Sequence, residues 1–300
     1  MADLDQLLEG SSRTFALTIP LLPEPIRAQV TVAYLLFRVA DTLEDSERWT
    51  PAARGEKLRA FAAVLERPEE RAAFAQGLRD EPPSLEAGYR ALTDELPAVL
   101  AALSGLSPRA QDIIVRHLLV TARGMAEGLE AAGGELRLRS LAQLERYCYL
   151  VAGVVGEMLT ELFVLATPRL SSARSTLEEH AQAFGEGLQL TNILKDATAD
   201  AREQRHFIPD GLSLSSLFAR ARKDLAGAAE YVGALVRARA PQGVVAFTAL
   251  PVRLALDTLA EVERRGAGAK ISREQLAEAI SEVQALLRGE RNLASVLRTS

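Results

Sequence analysis

The chain has 300 residues, 48% of them hydrophobic and 25% charged, with 35 basic against 40 acidic side chains and a formal net charge of -5. This is a globular composition with apolar material for a large core, and its acidic balance argues against a nucleic-acid partner, which usually meets a basic excess. A single cysteine, Cys148, excludes an internal disulfide framework and fits a reducing cytoplasm.

Helix formers dominate the chain, and Ala, Leu, Glu and Arg recur at three- and four-residue spacing. The pattern predicts helices near 3–10, 24–45, 52–66, 69–79, 84–103, 108–131, 140–166, 171–200, 212–239, 242–265 and 272–287. Pro, Gly and Ser punctuate the breaks at DEPPS (80–84), SGLSP (104–108) and ATPRLSS (166–172), with AAGGELRLRS (131–140) as a Gly-rich connection and IPDGLS (208–213) as a turn. Ser107 is placed to cap a helix that opens on Pro108. No fixed-period repeat or long linker is present, so the expectation is one all-α domain. The run Val30–Ala40 carries one charge, Arg38, and YLVAGVVG carries none. Helices apolar all round are buried all round, which implies a helical bundle around an interior core or cavity. The acidic N-terminus, MADLDQLLEG, is not a signal peptide, and no apolar run reaches the roughly 18 residues of a membrane span. A cytoplasmic protein is expected, with a lipid substrate able to draw it to a membrane surface.

The stretch QLTNILKDATAD places Asn192, Asp196 and Asp200 four residues apart, with Gln189 three before them; DTLED places Asp41 and Asp45 in the same way, with Glu44 beside them. Residues four apart on a helix lie within about 40° of one another and rise about 6 Å. Like charges at that spacing weaken a helix by a few tenths of a kcal/mol per pair, so something should offset the repulsion. Mg²⁺ prefers oxygen ligands and is held by one or two carboxylates together with substrate phosphates. Two such rows suit a diphosphate clamp in which the metal neutralises the leaving pyrophosphate; the plain alternative for each row is a solvated face. Arg13, Arg38, Lys195, Arg202 and Arg205 lie in or near the same stretches or in SSRTF, and arginine forks match phosphate oxygens. An ordinary surface or ion-pairing role is the alternative for each of them.

SSRTFA at 11–16, YLLFRVADTLED at 34–45, YCYLVAGVVG at 147–156 and QLTNILKDATADAREQRHFIP at 189–209 resemble, in that order, the motifs of the squalene/phytoene synthase family. The resemblance runs from about residue 10 to about residue 275. It implies the all-α isoprenoid synthase fold with a central active-site cavity. It also implies head-to-head (1'-1) condensation of two prenyl diphosphates, farnesyl diphosphate foremost, through a cyclopropyl diphosphate. By the same likeness Asp41, Asp45, Asn192, Asp196 and Asp200 would face Mg²⁺ (or Mn²⁺) with Glu44 in support. Arg13, Arg38, Lys195, Arg205 and Gln189 would meet diphosphate. Tyr34 and Tyr147 would lie near the reacting carbons, where a phenol can hydrogen-bond a departing diphosphate and its ring face can stabilise a cation. Position 195 is Lys where the family often has Arg, which keeps the charge and loses the fork.

Gly153 and Gly156 remove side chains from a buried helix at roughly 1 kcal/mol each relative to Ala. A prenyl chain or a neighbouring helix passing close by would explain them, as it would FGEG at 184–187. Among the family's products, squalene requires hydride from NADPH, whereas dehydrosqualene and phytoene do not. No GxGxxG motif follows a strand pattern, so no Rossmann site is expected. RRGAGAKISREQL at 264–276 resembles the squalene branch, and Lys270 and Arg273 would meet the phosphates of NADPH; a solvated basic loop is the alternative. The reading is a squalene synthase-like prenyltransferase. The alternatives are an NADPH-independent dehydrosqualene, hydroxysqualene or phytoene synthase and a non-catalytic assembly member of the family.

Overall fold

The computed structural model describes residues 3–12, 15–131, 137–203 and 205–297. Among them no strand occurs beyond one isolated bridge between Arg137 and His206, so the all-α expectation holds. The chain divides into two compact units, Met1–Pro20 with Glu24–Glu135, and Leu21–Pro23 with Leu136–Ser300.

The first unit contains α1 (Leu4–Ser11), α2 (Phe15–Thr18), α3 (Ile26–Glu44), α4 (Pro51–Glu66), α5 (Arg71–Asp80), α6 (Ala87–Asp94), α7 (Leu96–Gly105) and α8 (Pro108–Ala131). Helix α3 is its hub, packing on α1, α4, α6, α7 and α8. Its sequence explains this: Val30, Ala33, Leu35, Leu36, Val39, Ala40 and Leu43 cover more than half of the helix circumference, and all are buried. The single helix expected over 84–103 is instead α6 and α7. Pro97 accounts for the division. It lacks an N–H and its ring clashes with the carbonyl of residue 93, so it sits in the first turn of a new helix.

The second unit contains α9 (Leu141–Cys148), α10 (Val154–Ala166), α11 (Arg174–Arg202), α12 (Leu214–Arg237), α13 (Gln242–Arg265), α14 (Arg273–Leu287) and α15 (Leu293–Leu297). The one helix expected over 140–166 is interrupted by a π-helical turn, Tyr149–Gly153, between α9 and α10. Packing against α11 shapes that turn. A Cβ on Gly185 would lie 1.9 Å from the Ala152 carbonyl oxygen, and one on Gly156 would lie 1.9 Å from that of Ala181. The glycines of AGVVG and FGEG therefore serve helix-to-helix contact, which decides between the two readings of those motifs. Below this contact Leu144, Cys148, Leu190, Ile193, Leu194, Phe207, Leu217, Leu225, Leu259 and Val262 form a continuous apolar core.

Two helical stretches, Leu141–Ala166 and Gln242–Arg265, are long and apolar enough to cross a membrane by length and composition. Of the apolar window in each, 56% and 72% is already buried against the protein, which is the pattern of core helices.

Candidate functional site

In the first unit the site residues share one stripe of α3. Tyr34, Arg38, Asp41 and Asp45 succeed one another at spacings of four, three and four, which keeps them within about 40° of a common line at 3.6 residues per turn. The Tyr34 hydroxyl donates to the Ser11 carbonyl at 3.3 Å and accepts from Arg38 Nη2 at 3.1 Å. The Phe15 ring packs 5.4 Å from that of Tyr34. Arg38 Nη1 pairs with Asp41 at 3.3 Å, while its Nε is a buried donor with no hydrogen-bond partner. Burial pulls the guanidinium pKa down, but Asp41 and Tyr34 together push it up, so Arg38 is held as a cation. Burial pushes the Asp41 carboxyl up to about 6, Asp45 adding to the rise and Arg38 opposing it. Asp45 is exposed at the helix end, its N–H bonded to the Asp41 carbonyl at 2.8 Å. Glu44 is buried, and lies about 100° around the helix from Asp45. Its main-chain carbonyl accepts from Arg54 at 3.0 Å. Arg13 lies outside the described residues.

In the second unit α11 buries Leu190, Ile193 and Leu194 in the core and turns Gln189, Asn192, Asp196 and Asp200 to another side. Lys195 Nζ bonds Asn192 Oδ1 at 3.3 Å and pairs with Asp196 at 3.1 Å. Arg205 Nη2 bonds Asp200 at 3.0 Å and Glu203 at 2.5 Å. Burial pushes the Asp200 carboxyl up, against the pull of Arg205, with Asp196 adding to the rise. Asp41, Asp196 and Asp200 thus each have a basic partner drawn from the residues expected to meet diphosphate.

The segment after α11 turns back on α9. The Leu138 N–H donates to the His206 carbonyl at 2.9 Å, and this places the Phe207 ring 4.8 Å from that of Tyr147. Tyr147 is therefore seated by the residues that follow the acidic row. On the other flank the Gly268 N–H donates to the Lys195 carbonyl at 2.7 Å, which brings the GAGAK loop onto the acidic helix. Lys270 and Arg273 are exposed, Arg273 opening α14 behind a capping box of Ser272 and Gln275.

Sequence reasoning assigned no role to Phe207, to Gly268 or to the charged residues beneath the acidic row. Arg220 of α12 there meets Glu145 of α9, Glu186 of α11 and Asp224 of its own helix. Spacing did offer a signal for Glu186, which stands three residues before Gln189, one turn along the same side of α11.

Among the described residues no group of three or more His, Cys, Asp or Glu side chains gathers into a metal cage. The donors on the two stripes still suit a hard cation. They are oxygens, they stand one turn apart, and Mg²⁺ takes the rest of its shell from water and substrate phosphate. A buried guanidinium Nε without a partner beside them suits an anion. Among the described residues there is no strand to build a Rossmann nucleotide site.

Comparison with known proteins gives three findings. Residues 8–213 match the family model described as squalene/phytoene synthase. Squalene synthase BSS of Botryococcus braunii is 32% identical over 201 residues, and the squalene synthase of Bos taurus is 31% identical over 205. These alignments take in 66% and 67% of this chain but 40% and 45% of those proteins, so the chain spans less than half the length of either relative. Among solved structures, a complex of TcSQS with the ligand BPH1237 superimposes with a TM-score of 0.71 at 24% identity, covering 98% of this chain and 96% of that one. A dehydrosqualene synthase in complex with ligand gives 0.60 at 20% identity, covering 95% of each chain. These structures share the all-α isoprenoid synthase fold with this chain.

Proposed function

The chain belongs to the squalene/phytoene synthase family, and on that premise we propose that it is a prenyltransferase that condenses two farnesyl diphosphates head to head, through presqualene diphosphate, to squalene. One observation carries this reading. The acids and bases expected at a metal–diphosphate site are paired with each other: Arg38 with Asp41, Lys195 with Asp196, and Arg205 with Asp200. Each pair can exchange partners, the carboxylate turning to a cation and the base to a phosphate oxygen.

Asp41, Asp45, Asn192, Asp196 and Asp200 would hold Mg²⁺ (or Mn²⁺), with Glu44 behind them. The bound metal would supply Lewis-acid neutralisation of the departing diphosphate. Arg38 keeps its charge, and its buried Nε offers one more donor to a phosphate oxygen. Lys195 and Arg205, with Gln189 and Arg13, complete the polar set that orients the diphosphates. The Tyr34 hydroxyl, already positioned by Ser11 and Arg38, can hydrogen-bond the departing group. Tyr147 is held by Phe207 with its ring against apolar surroundings, where a π-face stabilises a passing cation best. Lys270 and Arg273 would bind the phosphates of NADPH, whose hydride closes the second half of the reaction.

The test is a product assay. Purified protein is incubated with farnesyl diphosphate and Mg²⁺, with and without NADPH, and hydrocarbons are separated by gas chromatography. Squalene and pyrophosphate with NADPH are the expected result. Dehydrosqualene or hydroxysqualene regardless of NADPH moves the enzyme to the sister branch. A C40 product made only from geranylgeranyl diphosphate overturns the substrate assignment. Absence of any condensed product, with pyrophosphate and Mg²⁺ failing to bind, leaves an assembly role.

A further inference from the structure

Beneath the acidic row one guanidinium joins three helices. Arg220 Nε donates to both oxygens of Asp224, at 2.8 and 3.0 Å. Its Nη2 reaches Glu186 at 3.3 Å, and its Nη1 bonds Glu145. Glu186 and Asp224 are buried. Burial raises both carboxyls against the pull of Arg220, and Gln182 supplies Glu186 with one further bond at 2.6 Å. Leu141, Leu144, Cys148, Leu190 and Leu217 close the space around the cluster. Three carboxylates, two of them buried, on one half-buried cation make a costly arrangement. An apolar substitute of similar volume is often no less stable than a buried ion pair, whereas removing one partner is strongly destabilising. A gain in stability therefore does not account for the cluster.

Its position does. Glu145 stands two residues before Tyr147 on α9, and Glu186 stands three before Gln189 and six before Asn192 on α11. We propose that Arg220 is a positioning residue that fixes the register of the Tyr147 helix against the acidic helix, so that the ring serving the cation and the row serving the diphosphate keep one spacing. The inference rests on the prenyltransferase reading for its kinetic consequence, but not for its structural one. The planar fork of Arg220 addresses three acceptors at set angles, which a lysine cannot do. Substrate diphosphate does not touch Arg220 in this scheme, so affinity and turnover should separate.

The experiment compares Arg220→Lys, Arg220→Gln and the charge-relieved triple variant Arg220→Met/Glu186→Gln/Asp224→Asn, each first shown by circular dichroism to be folded. Cys148, the single cysteine, lines the same cluster and is buried, its thiol pushed up to about 12 chiefly by that burial; its alkylation rate by a maleimide reports loosening of α9 without any turnover. We expect alkylation, corrected for the thiolate fraction that Glu186, Asp224 and Arg220 each shift, to be at least ten-fold faster in Arg220→Gln and in the triple variant, with Arg220→Lys between these and the parent. Under steady state, kcat should fall ten-fold or more in the same two variants while KM for farnesyl diphosphate stays within two-fold, and Arg220→Lys should recover part of kcat. Parental alkylation rates in a folded Arg220→Gln protein, or a KM that rises as far as kcat falls, would overturn the inference. If the parent protein itself makes no product, the prenyltransferase reading fails, and the alkylation rates still decide whether Arg220 clamps the two helices.

Discussion

The Gly268 N–H bonds the main-chain carbonyl of Lys195, so the GAGAK loop is fastened to the helix that carries Asn192 and Asp196 at their shared basic partner. Gly268 sits at φ +87, in the left-handed region where an L side chain costs about 1–2 kcal/mol. Gly268→Ala should lose stability on that order in urea denaturation. Gly211→Ala, at φ +82 with open space around the added Cβ, should lose a similar amount. Only the Gly268 variant should weaken NADPH binding, measured by fluorescence titration, because only that loop is bonded to the acidic helix and leads into Lys270, proposed above to meet the nucleotide. Equal effects of the two variants on NADPH binding would detach the loop from the nucleotide.

The relation of sequence to structure differs between elements. The stripes on α3 and α11 were legible because helical spacing alone aligns Tyr34 with Asp45 and Gln189 with Asp200. Helix existence was legible for the same reason. The π turn at Tyr149–Gly153 was not, since it answers to the approach of α11 at Gly185 and Ala152, a contact between residues far apart in sequence. The division at Pro97 had a local signal in the proline itself. The seating of Tyr147 by Phe207 and the meeting of Arg220 with Glu145 and Glu186 are tertiary facts, and no periodicity within either segment encodes them.

Glycine substitutions in helices should diverge in sign. Gly185→Ala drives a Cβ to 1.9 Å from the Ala152 carbonyl oxygen, and neither backbone can yield cheaply. Overpacking of this kind costs about 1–3 kcal/mol or more. Gly77→Ala in α5 meets nothing within 4 Å and should gain up to about 1 kcal/mol from helix propensity. Thermal melts of the two variants check both signs, and a neutral Gly185→Ala would contradict the close approach.

Tyr147 and Phe207 should be energetically coupled. Their rings lie 4.8 Å apart at 32°, and such pairs contribute about 0.5–1.5 kcal/mol beyond area burial. A double-mutant cycle of Tyr147→Leu and Phe207→Leu in urea should return a coupling in that range. A coupling near zero would mean that Phe207 packs in the core without holding the tyrosine.

Asp41 should trade stability for function. Its folded pKa of about 6 lies above the roughly 3.9 of an unfolded aspartate. The folded state therefore binds the proton more tightly, and the stability associated with the neutral carboxyl is complete below about pH 4 and is lost as pH rises through 6. Asp41→Asn removes the charge that burial penalises. In metal-free buffer it should melt above the parent protein at pH 8, with the difference shrinking as pH falls toward 4. Mg²⁺ with pyrophosphate should reverse the order at pH 8. The parent offers a carboxylate that the bound cation stabilises, and a ligand that binds only the folded state raises the melting temperature by mass action; the variant offers an amide in its place. Scanning calorimetry at pH 4, 6 and 8, with and without the two ligands, measures both orders. An Asp41→Asn protein that melts below the parent at pH 8 without metal would show that the ion pair with Arg38 outweighs burial, and that Asp41 stands in the fold for structure alone.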